Sequence, residues 1–374
     1  MRPCPEQAAR LAINRTLTWT PVQHTTVKPI LCIAVLLLAG GAACHVQAQV
    51  PVQDGAAGDA GTHGAYLSLE FGDGRIHGST QGDSGGSRSM GWRSLEVRAG
   101  REQTTAFGQG RIDFVHYNEG HPDNNHRDGF ALQWVAVQAL GGTFTGELGA
   151  GPYLSMNTTT VGGQEFDDAH WGLLLGGALR LPLRMLPAGT HLRLGVNYAW
   201  MPGAHRSAAI LLGLGRQFGP ARPDPGTSSA SGPWWFGASL GRSITNLSHT
   251  KGANAGILEA RKYLDGRFDH WAVSGKLVWE GDDGRRVDRD GIAAQLDYVQ
   301  QVTPRFAVSA GIGPYLARND RDEDQKTRAN LLISLQAERA LSHATRAFVN
   351  FNRVKTFRQT NDRDLLQLGL LKRF

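Results

Sequence analysis

The sequence predicts an all-β fold: a transmembrane antiparallel β-barrel of about sixteen strands, arranged as two eight-stranded repeats. Three observations predict it. Short segments of apolar/polar alternation recur along the chain, a long stretch is duplicated without a gap, and no apolar run of about 20 residues follows residue 50.

The alternation comes first. Residues two apart share one face of a strand. "HLRLGVNYAW" places Leu192, Leu194, Val196, Tyr198 and Trp200 on one face, with Arg193, Gly195, Asn197 and Ala199 opposite. "RFAVSAGIGPYL" alternates Phe306, Val308, Ala310 and Ile312 with Ala307, Ser309, Gly311 and Gly313. "WRSLEVRAG" sets Leu95, Val97 and Ala99 against Glu96 and Arg98. The last segment, "LLQLGLLKRF", puts Phe374, Lys372, Leu370, Leu368 and Leu366 together, and Arg373, Leu371, Gly369 and Gln367 on the back.

In a soluble sandwich such apolar faces would turn inward; in a membrane barrel they meet acyl chains, with aromatic residues at the water boundary. The connections separate the two. Short ones near 102–106, 140–143, 265–268 and 302–305 alternate with longer polar ones near 73–90, 118–128, 156–168, 280–288 and 318–328. Short turns on one side and long loops on the other are the arrangement of outer-membrane barrels. The strands fall near 64–72, 92–101, 106–117, 129–139, 143–155, 169–182, 191–200 and 207–218, then near 233–244, 255–264, 269–279, 289–301, 305–317, 329–340, 345–354 and 363–374.

The duplication explains why there are two sets. "RDGFALQWVAVQALGGTFTGELGAGPYLSMN" (127–157) aligns on "RDGIAAQLDYVQQVTPRFAVSAGIGPYLARN" (289–319) at an offset of 162, with 14 of 31 positions identical. "SLEVR" near 96 resembles "ILEAR" near 259, and "LLGLGRQF" ending at Phe218 resembles the segment ending at Phe374. Between the halves, "GPARPDPGTSSASG" (219–232) carries three prolines, which lack the amide proton a ladder needs, so it reads as a linker. The expected organisation is a signal peptide at 1–48, a tail at 49–63, a first barrel repeat at 64–218, the linker, and a second repeat at 233–374. Two separately closed barrels are the preferred architecture; one sixteen-stranded barrel is the alternative. Inward-facing Glu96, Arg98, Glu147, Arg193 and Gln217 would pair in a packed lumen in the first case and line a pore in the second.

The leader rests on "KPILCIAVLLLAGGAACHVQAQV", with Lys28 before an apolar core and an A-x-A-like exit at Val46-Gln47-Ala48. Cys44 offers a competing lipoprotein reading, although Gly41 stands where a lipobox has Leu. All three cysteines (Cys4, Cys32 and Cys44) lie in the leader region, so no disulfide is expected in the mature chain. The leader holds four of the 39 basic residues and one of the 33 acidic ones. That leaves 35 against 32, a balance that suggests no nucleic-acid partner.

Candidate chemistry is sparse. "HYNEGHPDNNHRD" gathers His116, His121 and His126 with Glu119, Asp123 and Asp128, residue types that bind metal ions, but at no recognisable ligand spacing. It reads as a solvated loop. "NDRDED" gathers Asp320, Asp322, Glu323 and Asp324 without the glycine and distal glutamate of a calcium loop, and reads as solvated charge. No catalytic, cofactor-binding or metal-binding residue is assigned, and no cofactor is expected.

The C-terminal segment resembles the terminal strand signal of bacterial outer-membrane barrels. Each half, with an acidic Asn-rich loop followed by a "GxGPYL" strand, also resembles the eight-stranded lipid A deacylase (acyloxyacyl hydrolase-like) barrels. That family carries a His-x-Ser pair on the seventh strand and a carboxylate on the last. The seventh strands here read Asn197-Tyr198-Ala199 and Asn350-Phe351-Asn352, and the nearest His-x-Ser is His205-Arg206-Ser207. The resemblances imply an outer-membrane location, with surrounding lipid, lipopolysaccharide and the barrel-assembly machinery as partners. The functional expectation is a non-enzymatic envelope barrel of unknown ligand. A porin-like channel, should all strands close together, and a lipid A esterase are the alternatives.

Overall fold

The structure is a computed structural model that describes residues 64–77, 94–105, 108–120, 125–161, 164–204, 206–219, 233–244, 252–264, 270–357 and 361–374. The expected leader, the tail and nearly all of the linker lie outside the described residues. Sixteen strands run in order: β1 (Ala65–His77), β2 (Ser94–Thr105), β3 (Gly108–Gly120), β4 (Asn125–Gly141), β5 (Phe144–Val161), β6 (Gln164–Pro182), β7 (Thr190–Trp200) and β8 (Arg206–Gln217) form the first set. The second set is β9 (Trp235–Ile244), β10 (Ala253–Tyr263), β11 (Trp271–Asp282), β12 (Asp288–Thr303), β13 (Phe306–Asn319), β14 (Thr327–Ser342), β15 (Thr345–Lys355) and β16 (Arg363–Arg373).

Each set closes on itself as an antiparallel barrel. β8 returns to β1, with Tyr66 opposite Gln217 and His77 opposite Arg206; β16 returns to β9, with Arg373 opposite Trp235. The sixteen-stranded alternative therefore gives way to two barrels. Once β8 has satisfied the free edge of β1, no edge of the first sheet remains to accept β9.

Several strands reach further into the expected loops than alternation alone indicates. The segment 156–168 is the largest difference: β5 and β6 continue pairing up to Val161 opposite Gln164. Thr158, Thr159, Thr160 and Val161 are all β-branched and favour the extended backbone. Asn157 Nδ2 donates to Asp168 (2.8 Å) and Thr158 Oγ1 to Asp167 (2.6 Å), which ties the two strands together where water would otherwise compete.

The duplication is visible as geometry. Both barrels carry a register shift before the β3–β4 and β11–β12 loops, at Asn118/Gly120 and Trp279/Gly281. Both carry another before the following tight turn, at Ala139/Gly141 and Gln301/Thr303. Gln133 Nε2 donates to the Leu174 carbonyl (2.7 Å), and its repeat counterpart Gln295 donates to the Leu332 carbonyl (2.8 Å). The repeated glycine of "GxGPYL" also has one cause in both halves. A Cβ on Gly151 would stand 1.9 Å from the Leu132 oxygen, and one on Gly313 would stand 1.8 Å from the Ala294 oxygen.

Outward faces carry exposed apolar side chains, among them Leu148, Trp171, Val196, Ile210, Leu240 and Leu368. At the turn end of the second barrel Phe374 packs edge-on to Phe236 (centroids 5.7 Å apart), and its amide donates to the Trp234 carbonyl (3.0 Å). Trp271 and Tyr298 make a similar edge contact at 5.3 Å. Not every outward apolar residue is exposed, because the barrels pack side by side. Leu67 and Phe218 of the first meet Val302, Phe306 and Val308 of the second. Higher up, Phe130 and Met156 meet Ile333 and Phe351.

Candidate functional site

The polar groups gather in three places: two lumens and the loop end of the seam. In the first lumen, alternation along "SLEVR" aims both Glu96 and Arg98 inward, and they form an ion pair. Arg98 Nη1 also donates to Gln133 Oε1 (2.6 Å). Arg111, on β3, donates to Asp113 (2.5 Å) and to Glu147 on β5 (2.8 Å). Arg193, on β7, reaches Glu147 (2.8 Å), Glu96 (3.2 Å) and Glu70. Asn197 donates to Glu96. Glu70, Glu96, Asp113, Glu147, Arg98, Arg111 and Arg193 are all buried. Half-buried Arg180 stands 3.4 Å from Glu147 and brings the cations to four, matching the four carboxylates. Charges buried this deeply persist only when paired and hydrogen-bonded, and this network achieves it by sharing each carboxylate among forked donors.

The second lumen repeats the motif. Arg261 pairs with Glu259 (2.6 Å) as Arg98 does with Glu96, and it also pairs with Glu338. Tyr263 and Arg346 both donate to Glu338 (3.0 Å each), and the Arg346 guanidinium covers the Trp235 ring at 4.6 Å.

Of the inward residues expected from sequence, Glu96, Arg98, Glu147 and Arg193 come together in one network. Gln217 sits apart at the turn end, where it donates to the Ala65 carbonyl (3.0 Å). Glu70, Arg111 and Asp113 escaped the sequence reading, although they occupy alternate positions in "YLSLEFG" and "GRIDF" that the strand period exposes.

The third place is the His-rich segment. It divides in space: Glu119 turns into the lumen and accepts from Tyr153 and Ser155 (2.9 Å each), whereas His116 and Asp128 face outward. His121 and Asp123 lie outside the described residues. His116 and Asp128 do not form the solvated loop expected of them, because the second barrel covers them. Asp128 lies 3.1 Å from His126 Nε2, 3.8 Å from His116 Nε2 and 3.5 Å from Arg353 Nη1 of β15. Arg353 also donates to Asp364 on β16 (2.9 Å). The His116 ring stacks on Phe130 at 4.9 Å and on Phe351 of the other barrel at 5.7 Å. Among the described residues no group of three or more His, Cys, Asp or Glu is placed to hold a metal ion.

In the acidic segment, charge is compensated by basic neighbours. Arg328 donates to Asp324 (2.5 Å) and Asp322 (3.4 Å), and Arg318 pairs with Asp320 (2.9 Å). The Arg328 hydrogen bond holds the Asp324 carboxyl below its usual range, and Arg321 does the same for Asp282 on the adjacent loop. His205 lies outside the described residues, and Ser207 is buried on the inward face of β8. On the seventh strands Asn197 points into the first lumen, Asn350 and Asn352 into the second, and Phe351 into the seam.

No protein-family model and no curated protein matches this chain. Among solved structures it is similar to Neisserial surface protein A (15% identity, TM-score 0.32), with 41% of this chain covering 97% of that one. It is also similar to Ail, the attachment invasion locus protein of Yersinia pestis (12% identity, TM-score 0.32, 42% of this chain and 99% of that one). A third likeness is to a loop-deletion mutant of OmpT, an outer membrane protein of Vibrio cholerae (10% identity, TM-score 0.18, 84% of this chain and 100% of that one).

Proposed function

We propose that this chain is an outer-membrane protein of the bacterial envelope that works without a channel, as two plugged barrels held side by side with their loop ends toward the cell surface. One contrast carries the reading: apolar side chains are exposed outside, and charged ones are buried inside. Leu240 is 77% exposed and Trp171 70%, whereas Glu70, Glu96 and Arg261 are at 0%. Exposed leucines on this scale suit acyl chains, and an eight-stranded barrel filled by ion pairs leaves no aqueous path. The paired charges of the two lumens are engaged in holding the barrels' shape, which favours a structural or binding role over catalysis. Surrounding lipid and lipopolysaccharide, together with assembly machinery reading β16, are the partners this role calls for.

The experiment is reconstitution of the folded chain in planar bilayers, with cell fractionation beside it. The expected result is a detergent-extractable outer-membrane protein that leaves the bilayer silent. Steady open steps of porin size, or recovery of the protein in the soluble periplasmic fraction, overturn the reading.

A further inference from the structure

At the loop end of the second barrel, a cleft of about 450 Å³ opens between the upper ends of β12, β13 and β14 and the residues Thr356, Phe357 and Asn361. Its size falls in the range of small-molecule sites, roughly 300–1,000 Å³. Arg289, Asn319, Arg328, Asn330, Phe357 and Asn361 line it. We propose that this cleft binds a neutral saccharide unit, with the Phe357 ring under the sugar's C–H face and the Asn330 and Asn361 carboxamides on its hydroxyls.

Charge decides the ligand class. Arg289 is held bidentately by Glu280 (2.5 and 2.7 Å), and Arg328 is held by Asp322 and Asp324. The guanidinium charges are thus already neutralised, and the loop at 318–328 balances Asp320, Asp322, Glu323 and Asp324 with Arg318, Arg321, Lys326 and Arg328. An anion would find both guanidiniums that line the cleft among the described residues already paired. A neutral polyol asks only for hydrogen bonds, and the cleft has capacity for them. Asn361 Oδ1 is buried without a partner among the described residues. Among the described residues Asn330 gives only its amide, to the Arg328 carbonyl at 3.3 Å, which leaves its oxygen for a hydroxyl. Phe357 supplies the apolar part: it is 74% exposed in a loop beyond the strand ends, among amides and guanidiniums. A buried acceptor left open and a bare aromatic face side by side match the two surfaces of a sugar ring. Asn361 holds a left-handed backbone (φ 78°), a conformation Asn adopts more readily than most residues, and its carbonyl accepts from Arg289 (3.1 Å). The cleft's wall is therefore fixed by the lumen beneath it.

The inference rests on the outer-membrane reading only for the side of the membrane to which the cleft opens. The test uses the full chain folded in detergent micelles, titrated calorimetrically with neutral free oligosaccharides and, in parallel, with the neutral hexose portion of the core oligosaccharide released from lipopolysaccharide. Binding in at least one arm is expected, weakened about tenfold by Phe357→Ala and by Asn330→Ala, and restored by Phe357→Trp, with heat-modifiable gel migration unchanged. Binding by the core oligosaccharide alone assigns the ligand to the cell's own surface; binding by free glycans assigns it to an external one. The proposal is overturned if neither arm binds, if both alanine variants bind like the parent, or if inorganic phosphate competes more strongly than any sugar. Any of these leaves the conductance and fractionation results untouched.

Discussion

Arg353 in the second barrel places its guanidinium 3.5 Å from the carboxylate of Asp128 in the first, while also holding Asp364 of its own barrel at 2.9 Å. Both Arg353 and Asp128 sit on outward faces, where an isolated barrel would offer them to its surroundings. Docking makes the positions tolerable, because each charge is covered and partnered at once. On the proposed outer-membrane reading this seam gains little from the hydrophobic effect, since lipid tails are as apolar as Phe130 or Ile333. Close packing and polar contacts of this kind must hold it.

Arg353→Met should therefore cost more than Asp128→Asn. The first leaves Asp128 and Asp364 facing each other without the guanidinium they share, a loss of about 3–5 kcal/mol for a broken buried pair. The second leaves Arg353 on Asp364. The temperature at which the fast-migrating unboiled band disappears from a gel checks the order, and equal shifts would contradict the shared-cation account.

Arg193→Met should destabilise the first barrel strongly, because Glu70, Glu96 and Glu147 all accept hydrogen bonds from that one guanidinium. Glu147→Gln should be milder, since Arg193 keeps Glu70 and Glu96 and Arg111 keeps Asp113, so only half-buried Arg180 loses the carboxylate beside it. Urea unfolding midpoints in micelles measure both, and a midpoint for Arg193→Met within error of the parent would dismiss the network as a stabilising element.

Gly151→Ala and Gly313→Ala should each cost about 1–3 kcal/mol, the usual range for forcing atoms into a packed site. Both would press a Cβ onto a backbone oxygen less than 2 Å away. Gly275→Ala is the control: its Cβ would meet open space. A comparable loss at Gly275 would mean that strand glycines matter for flexibility and not for close approach.

The turn between β11 and β12 should loosen in acid. Burial alone would raise the Asp283 carboxyl, but backbone amides of Val287, Arg286 and Arg285 donate to it and hold it below its ordinary value. A depressed folded-state value stabilises the turn above the unfolded value of about 4, and that contribution disappears as pH falls below it. Amide exchange at Val287, corrected for its intrinsic rate, should lose protection below about pH 4 in the parent and show no such step in Asp283→Asn. Protection that persists unchanged to pH 2 in the parent would refute it.

Much of this was readable along the chain. The period-2 pattern placed Glu96 and Arg98 on one inward face, and the matching "ILEAR" placed Glu259 and Arg261 likewise; both pairs formed as ion pairs. The duplication put Gln133 and Gln295 in equivalent positions, and they make equivalent bonds. The two ends of the His-rich segment, His116 and Asp128, are not legible as buried because the residues that cover them are remote: Arg353 stands 225 positions from Asp128.

Sequence by itself determined the strands, their faces and the doubling, because side-chain alternation and β-propensity act between neighbours. Tertiary structure alone decided that β8 closes on β1, that both lumens fill, and that His116 and Asp128 end in a seam. Closure and docking depend on which distant edges and faces meet, and one pattern of alternation serves a wide barrel and two narrow ones equally well.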